Sequence, residues 1–297
     1  MNLCSNYFII KWNGGCPFQL WNNYLSINIV INCINSLIVS SKINMEKNDY
    51  SGFGQYDISE KLELRLPKTE INIEIKEGNR FSYYRKNSED QEIRKSIPQS
   101  SGKIKIELCP ILPMNLPAKK TNDLIFLRLA ESIFVEKKST TSILIQFPME
   151  IGIYIINQDE TKDLFDCFTC EPMHSRFALY GTPEKGNLCM YSKVKLLEKN
   201  DVDPYVFARM KVDISNNLDE GKLIGKLVFP IGSHNFYYSE GSSEVHVDDI
   251  EVTLKQESKI SLIDIKRKGY VNKGAGLKLV SYLTTDDSIY TMDKGFN

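Results

Sequence analysis

Histidine and tryptophan are scarce: three and two residues in a chain of 297. With so few imidazoles, and no serine in a nucleophile-elbow setting, a hydrolase triad has little to build on. An excess of one charge is also lacking. Lys and Arg total 37 against 38 Asp and Glu, a net charge of -1. No global field therefore recruits nucleic acid or an anionic membrane. No apolar run reaches the ~20 residues of a spanning helix. The nearest, Leu25 to Val39, is broken by Asn28, Asn32 and Asn35, whose amides are costly in lipid. Seven scattered cysteines, an odd number, favour reduced thiols and a cytosolic setting over a disulfide framework. Fixed-period repeats and heptads are missing too.

What is present is alternation. Leu62, Leu64 and Leu66 enclose Glu63 and Arg65; Ile71, Ile73 and Ile75 enclose Asn72 and Glu74. Ile104, Ile106 and Leu108 enclose Lys105 and Glu107, and Met210, Val212 and Ile214 enclose Lys211 and Asp213. A period of two sends apolar side chains to one face of a strand and polar ones to the other. That predicts an all-β, mainly antiparallel protein with few or no helices, its sheets buried on one face and wet on the other. Strand candidates recur about every 10 to 15 residues with turn residues between, the spacing of sandwiches and barrels. Ile151 to Ile156 is nearly all apolar and reads as a strand buried on both faces. Cys109 to Pro117 carries three prolines and reads as an extended, unpaired segment or a sheet edge. Gly276 to Leu283 reads as a short helix, and Asp286 to Asn297 as a frayed tail.

Charge divides the chain near residue 45. From Met1 to Asn44 the only charged side chains are Lys11 and Lys42, and nine residues are Asn. Residues 1–44 are therefore expected to be an extension, either disordered or translated from a misassigned start. Two packed sandwich-like β units follow, 45–157 and 158–267, then a basic linker and tail over 268–297.

Four groups of residues have chemical potential. Cys167 and Cys170 in a C-x-x-C, with His174, have the reach for zinc, but a fourth ligand is lacking. The plainer reading is two cysteines on a β segment, so no metal and no cofactor are expected. His246 and Asp248 share a strand face, as an acid-base pair would, or as a solvated face would; His234 reads as a surface turn residue. Asp201, Asp203 and Tyr205 flank Pro204 in a turn that Asp side chains can cap. Phe81, Tyr83 and Tyr84 beside Arg80 and Arg85 can stack bases or, more simply, fill a core.

The middle of the chain resembles a known family, the archaeal "domain of unknown function 432". The resemblance lies in Pro113-Met-Asn115-Leu-Pro117 with Thr121-Asn122, Phe147-Pro-Met-Glu150-Ile-Gly152, and the long run from Phe177 to Ser192. It continues in Asp203-Pro204-Tyr205 and Asn216-Asn217. It implies a domain starting near Met45 and an archaeal cytosolic protein, and it supplies no activity.

These observations point to a non-enzymatic binding or assembly module that uses a sheet face or edge. The alternative is an enzyme acting on a small molecule or sugar, with Glu150 and Glu184 as acid and base. Candidate binding residues are Glu150, Tyr180, Glu184, Lys185, Tyr191, Asp203 and Tyr205. They concentrate on the Phe147–Gly152 edge and on the Tyr180–Tyr191 loop, where Gly181, Pro183 and Gly186 stiffen the chain around two charges. The expected partner is a protein or a small molecule, not nucleic acid, with homo-oligomerisation left open.

Overall fold

The structure, a computed structural model, describes residues 50–78, 80–87, 89–98, 102–115, 123–170, 177–198, 202–258, 260–270, 276–280, 289–293 and 295. The expected extension over 1–44, and His174, lie outside these residues. Among the described residues there are twenty strands and no helix. In order they are β1 (Gly54–Ile58), β2 (Lys61–Leu66), β3 (Thr69–Lys76), β4 (Arg80–Asn87), β5 (Glu92–Pro98), β6 (Ile104–Ile111) and β7 (Leu124–Val135). Next come β8 (Ser139–Pro148), β9 (Glu150–Ile156), β10 (Lys162–Phe168), β11 (Phe177–Tyr180), β12 (Asn187–Val194), β13 (Phe207–Asn216) and β14 (Lys222–Pro230). The last are β15 (Phe236–Ser239), β16 (Val245–Val247), β17 (Ile250–Glu257), β18 (Ile260–Arg267), β19 (Leu277–Val280) and β20 (Ile289–Met292). The fold is all-β and mostly antiparallel, its sheets curled into half-barrels.

The alternating runs become strands in the expected phase. In the meander β2-β3-β4-β5, Leu64, Leu66, Ile71, Ile73, Phe81 and Tyr83 are buried. On the other face Arg65, Glu70 and Lys86 stand opposite one another with alternating sign, a favourable cross-strand arrangement. Phe81 and Tyr83 thus fill the core, while Tyr84 turns outward under Arg94, 4.7 Å from its ring centre.

The meander meets a second sheet, β1-β6-β9-β10, through ring contacts such as Tyr83 with Phe165 and through the carboxylate of Asp166. Asp166 sits at a register shift in β10. It accepts hydrogen bonds from Arg85 Nε at 2.7 Å, Tyr83 OH at 2.6 Å and Lys95 Nζ at 2.9 Å. Burial alone would raise the pKa of Asp166, but these three donors together hold it below the usual carboxylate range. In the same sheet β9 is central, as its apolar sequence predicts. Pro110 is paired within β6, opposite Ile151. The partner strand β1 stops at the level of Leu108, so at Pro110 the strand has a neighbour on one side only. This is the edge position that a residue without an N–H tolerates.

The remaining strands form a four-stranded and an eight-stranded sheet, each drawing on both halves of the chain. One sheet has the order β11-β12-β7-β14. The other has the order β19-β15-β16-β13-β17-β18-β20, with β8 running antiparallel to the full length of β13. Strand pairing therefore crosses residue 157, and residues 50–297 cluster as one compact unit. Asn216 locks the turn after β13: its amide donates to the carbonyls of Val135, Glu136 and Glu220 and accepts from Leu218 N.

Several local expectations are corrected. The segment expected to be helical holds a strand, Leu277–Val280, paired with β15. The expected tail holds β20, paired with β18. Helix propensity is a weak prior, and a nearby strand with free backbone groups overrides it. His234 is buried rather than superficial, with its ring 5.3 Å from that of Phe229. The supposed solvated face at His246 and Asp248 is inside: Asp248 is fully buried and His246 is half-buried.

Candidate functional site

The sheet β11-β12-β7-β14 brings together residues that are scattered in sequence. Strands β12 and β7 are parallel, with Lys193 opposite Arg128. Strands β7 and β14 are antiparallel, with Lys226 opposite Arg128. Residues directly opposite in a sheet project from the same face. Lys193, Arg128 and Lys226 therefore form a row of three cations across three adjacent strands. Two positions along, on the same face, stand Tyr191, Phe126 and Val228. The rings of Tyr191 and Phe126 lie 5.8 Å apart at 38°.

Like charges directly opposite one another destabilise a sheet. The pKa of Lys226 is lowered first by burial and then by the neighbouring Arg128. Its ammonium stands 5.9 Å from the Phe126 ring centre, a cation–π distance. Among the described residues no ion pair engages Arg128 or Lys193. The register shift that seats Gly225 beside Lys226 lets the chain pass close to Ser132 and the Arg128 guanidinium.

The C-terminal strand borders this face. Val228 N donates to Met292 Sδ at 3.2 Å, and Asp293 N donates to Tyr180 OH at 2.8 Å. Gly295 passes close to Lys226 Nζ. Val228 and Met292 are fully buried, whereas Lys193 is exposed and Tyr191, Phe126, Arg128 and Lys226 are half-buried. The open part of the face thus lies over β12 and β7.

The seven residues expected from the sequence occupy several places. Tyr191 joins the aromatic row. Tyr180, on the same sheet, is buried and tied to Asp293. Glu184 and Lys185 are exposed at the turn between β11 and β12. That turn is tight: a Cβ on Gly181 would lie 2.8 Å from the Gly186 backbone, and one on Gly186 would lie 2.6 Å from the Thr182 carbonyl. From Lys185 to Lys193 the strand runs about 25 Å, so the tip stands well away from the cationic row.

Glu150, Asp203 and Tyr205 belong to other parts of the fold. Glu150 lies in β9 and is 1% exposed. Its Oε2 accepts from Asn115 N at 3.2 Å, Asn115 Nδ2 at 3.0 Å and Cys167 Sγ at 3.2 Å. Glu150 lies in β9, whereas Glu184 lies in the turn between β11 and β12 of another sheet. Cys167 is pushed up in pKa by burial and by Glu150, and Cys170 is buried. Asp203 is exposed and holds its turn through its backbone carbonyl, which accepts from Val206 N and Phe207 N. Tyr205 is buried against Phe53, and its hydroxyl donates to the Ser51 carbonyl.

Over residues 52–288 the chain matches the family model described as protein of unknown function, DUF432. The chain belongs to that family. No curated protein and no solved structure matches it. Within the DUF432 domain, motif residues such as Asn115, Tyr205 and Asn216 hold loops in place through hydrogen bonds. Tyr191 is the motif residue that meets the open cationic face.

Sequence reasoning missed Arg128, Lys193, Lys226 and Phe126. The signal was present: Phe126-Leu-Arg128 and Tyr191-Ser-Lys193 both read aromatic-x-cation, a spacing that puts both side chains on one strand face. Neither triplet indicates that the two strands are neighbours.

Proposed function

We propose that this DUF432 protein is a non-enzymatic binding module, acting in the cytosol, whose ligand is an anion held on the face of β12, β7 and β14. One observation carries the reading: Lys193 and Arg128 stand abreast on adjacent strands, and among the described residues no ion pair engages either. Two like charges directly opposite cost stability, and an anion bound between Lys193 and Arg128 removes that cost. The flanking aromatic pair adds an apolar floor, as binding sites do around a few polar groups. A binding role accords with where the polar groups sit. Three of the buried carboxylates, Asp166, Asp248 and Glu150, each accept several hydrogen bonds that hold segments together.

Thermal unfolding with inorganic pyrophosphate at low salt tests the proposal. A ligand that binds only the folded state raises the melting temperature with its concentration. The wild type should show such a rise, and Arg128→Gln should not. Without ligand, Arg128→Gln should melt at or above the wild-type temperature, because it relieves repulsion. If pyrophosphate, sulfate and citrate all leave the wild-type melting temperature unchanged, the module reading for this face is wrong.

A further inference from the structure

The two rows on this face differ in what they can hold, and their separation is fixed by the backbone. Along β12 and β7 the aromatic row and the cationic row are two residues apart, about 6.6 Å. Across the strands the outer cations are about 10 Å apart, two strand spacings. The aromatic floor is two tilted rings, Phe126 and Tyr191, both half-buried. The cationic row begins with the exposed Lys193 and deepens toward Arg128 and Lys226.

A lone inorganic anion would use only the second row. A ligand that uses both has a planar group on the rings and negative charge about 6 to 7 Å away, spread over more than one group. We infer that the ligand is a nucleoside phosphate, its base on Phe126 and Tyr191 and its phosphoryl groups along Lys193 and Arg128. This rests on the anion-binding reading above and adds the planar half of the ligand. Base-on-aromatic stacking tolerates any base, because every base has a π face. The guanidinium of Arg128 supplies the forked donor that suits a phosphoryl group, and Lys193 adds a point charge. On the β14 side, β20 closes the face over Val228. The base therefore lies over β12 and β7, where the rings are accessible.

Calorimetric titration separates the two halves. The probes are pyrophosphate, adenosine, AMP, ADP and a ten-residue oligothymidylate, each against the wild type, Tyr191→Leu and Arg128→Gln. ADP should bind the wild type about tenfold more tightly than pyrophosphate, about 1.4 kcal/mol. Tyr191→Leu should abolish that advantage and leave pyrophosphate binding unchanged. Arg128→Gln should weaken both by a similar factor. Equal binding of ADP and pyrophosphate, with both lost in Arg128→Gln, would overturn the nucleotide inference and leave the anion site standing. No binding of either would overturn both. Oligothymidylate binding more tightly than ADP, with the same response to the two variants, would replace the mononucleotide with a single-stranded polymer. Phe126→Leu is the second test of the planar half, should Tyr191→Leu melt early.

Discussion

Replacing His234 should change how the stability of this protein depends on acid. The imidazole is 3% exposed, and among the described residues neither ring nitrogen has a hydrogen-bond partner. Burial lowers its pKa most strongly; the carboxylate of Asp248 pulls the other way and Arg267 adds to the lowering, leaving a value of about 4 against the ordinary 6.5. The folded state therefore resists the proton that the unfolded chain accepts. Stability is full above pH 6.5 and is lost as pH falls toward 4, with a limiting slope of about 1.4 kcal/mol per pH unit. Over that window the single group removes about 3 kcal/mol. His246, half-buried and also lowered in pKa, titrates in the same direction. Asp213, held near 2 by Lys211, Ser142 and Lys268 despite its burial, acts at lower pH.

The variant His234→Leu isolates the one contribution, because it leaves the other groups in place. Urea unfolding at pH 7.5, 6, 5 and 4.5 gives the curve. At pH 7.5 the variant should be as stable as the wild type or better by about 1 kcal/mol, since two unpaired buried nitrogens disappear. At pH 4.5 it should exceed the wild type by about 3 kcal/mol. Parallel curves for the two proteins would refute the argument. They would mean that the ring takes up a proton as readily in the folded state as in the unfolded one.

Other expectations follow from single contacts. Asp166→Asn leaves the buried Arg85 without its counter-charge and should cost about 3 kcal/mol in urea unfolding; a loss below ~0.5 kcal/mol would show that the meander is fastened by other means. Asn216→Ala removes a side chain that satisfies three carbonyls and one amide at a turn, and should cost about 2 kcal/mol by the same assay. Tyr205→Phe deletes only the hydroxyl donated to Ser51 and should cost about 1 kcal/mol, seen as a lower denaturation midpoint at unchanged slope. The double change Glu184→Ala, Lys185→Ala alters two exposed side chains and should shift stability by less than ~0.5 kcal/mol. It should also leave pyrophosphate binding intact, since the tip is far from the cationic row.

Local pattern carried much of this fold. The alternation of Leu62, Leu64 and Leu66 marks a half-buried strand; Ile151 to Ile156, expected to be buried on both faces, is a central strand but only partly buried from Tyr154 onward. Local pattern also accords with the tight turn at Pro67-Lys68, where Lys68 adopts a positive φ. It failed where a strand forms only because a partner edge is waiting, as in β19 and β20. It failed again at His234, whose burial depends on Phe229 from another strand. Asn115 and Glu150 both stood out in sequence, yet their hydrogen bond joins two segments 35 residues apart.

The candidate site divides along the same line. The sequence by itself determined that Phe126 and Arg128, and likewise Tyr191 and Lys193, share a strand face, because side chains alternate every residue. Only the tertiary structure decided that β12 lies parallel to β7 and that β14 closes on its other side, setting Lys193, Arg128 and Lys226 abreast. Register between distant strands is a property of the whole hydrogen-bonded sheet and of the core beneath it, so no local pattern encodes it.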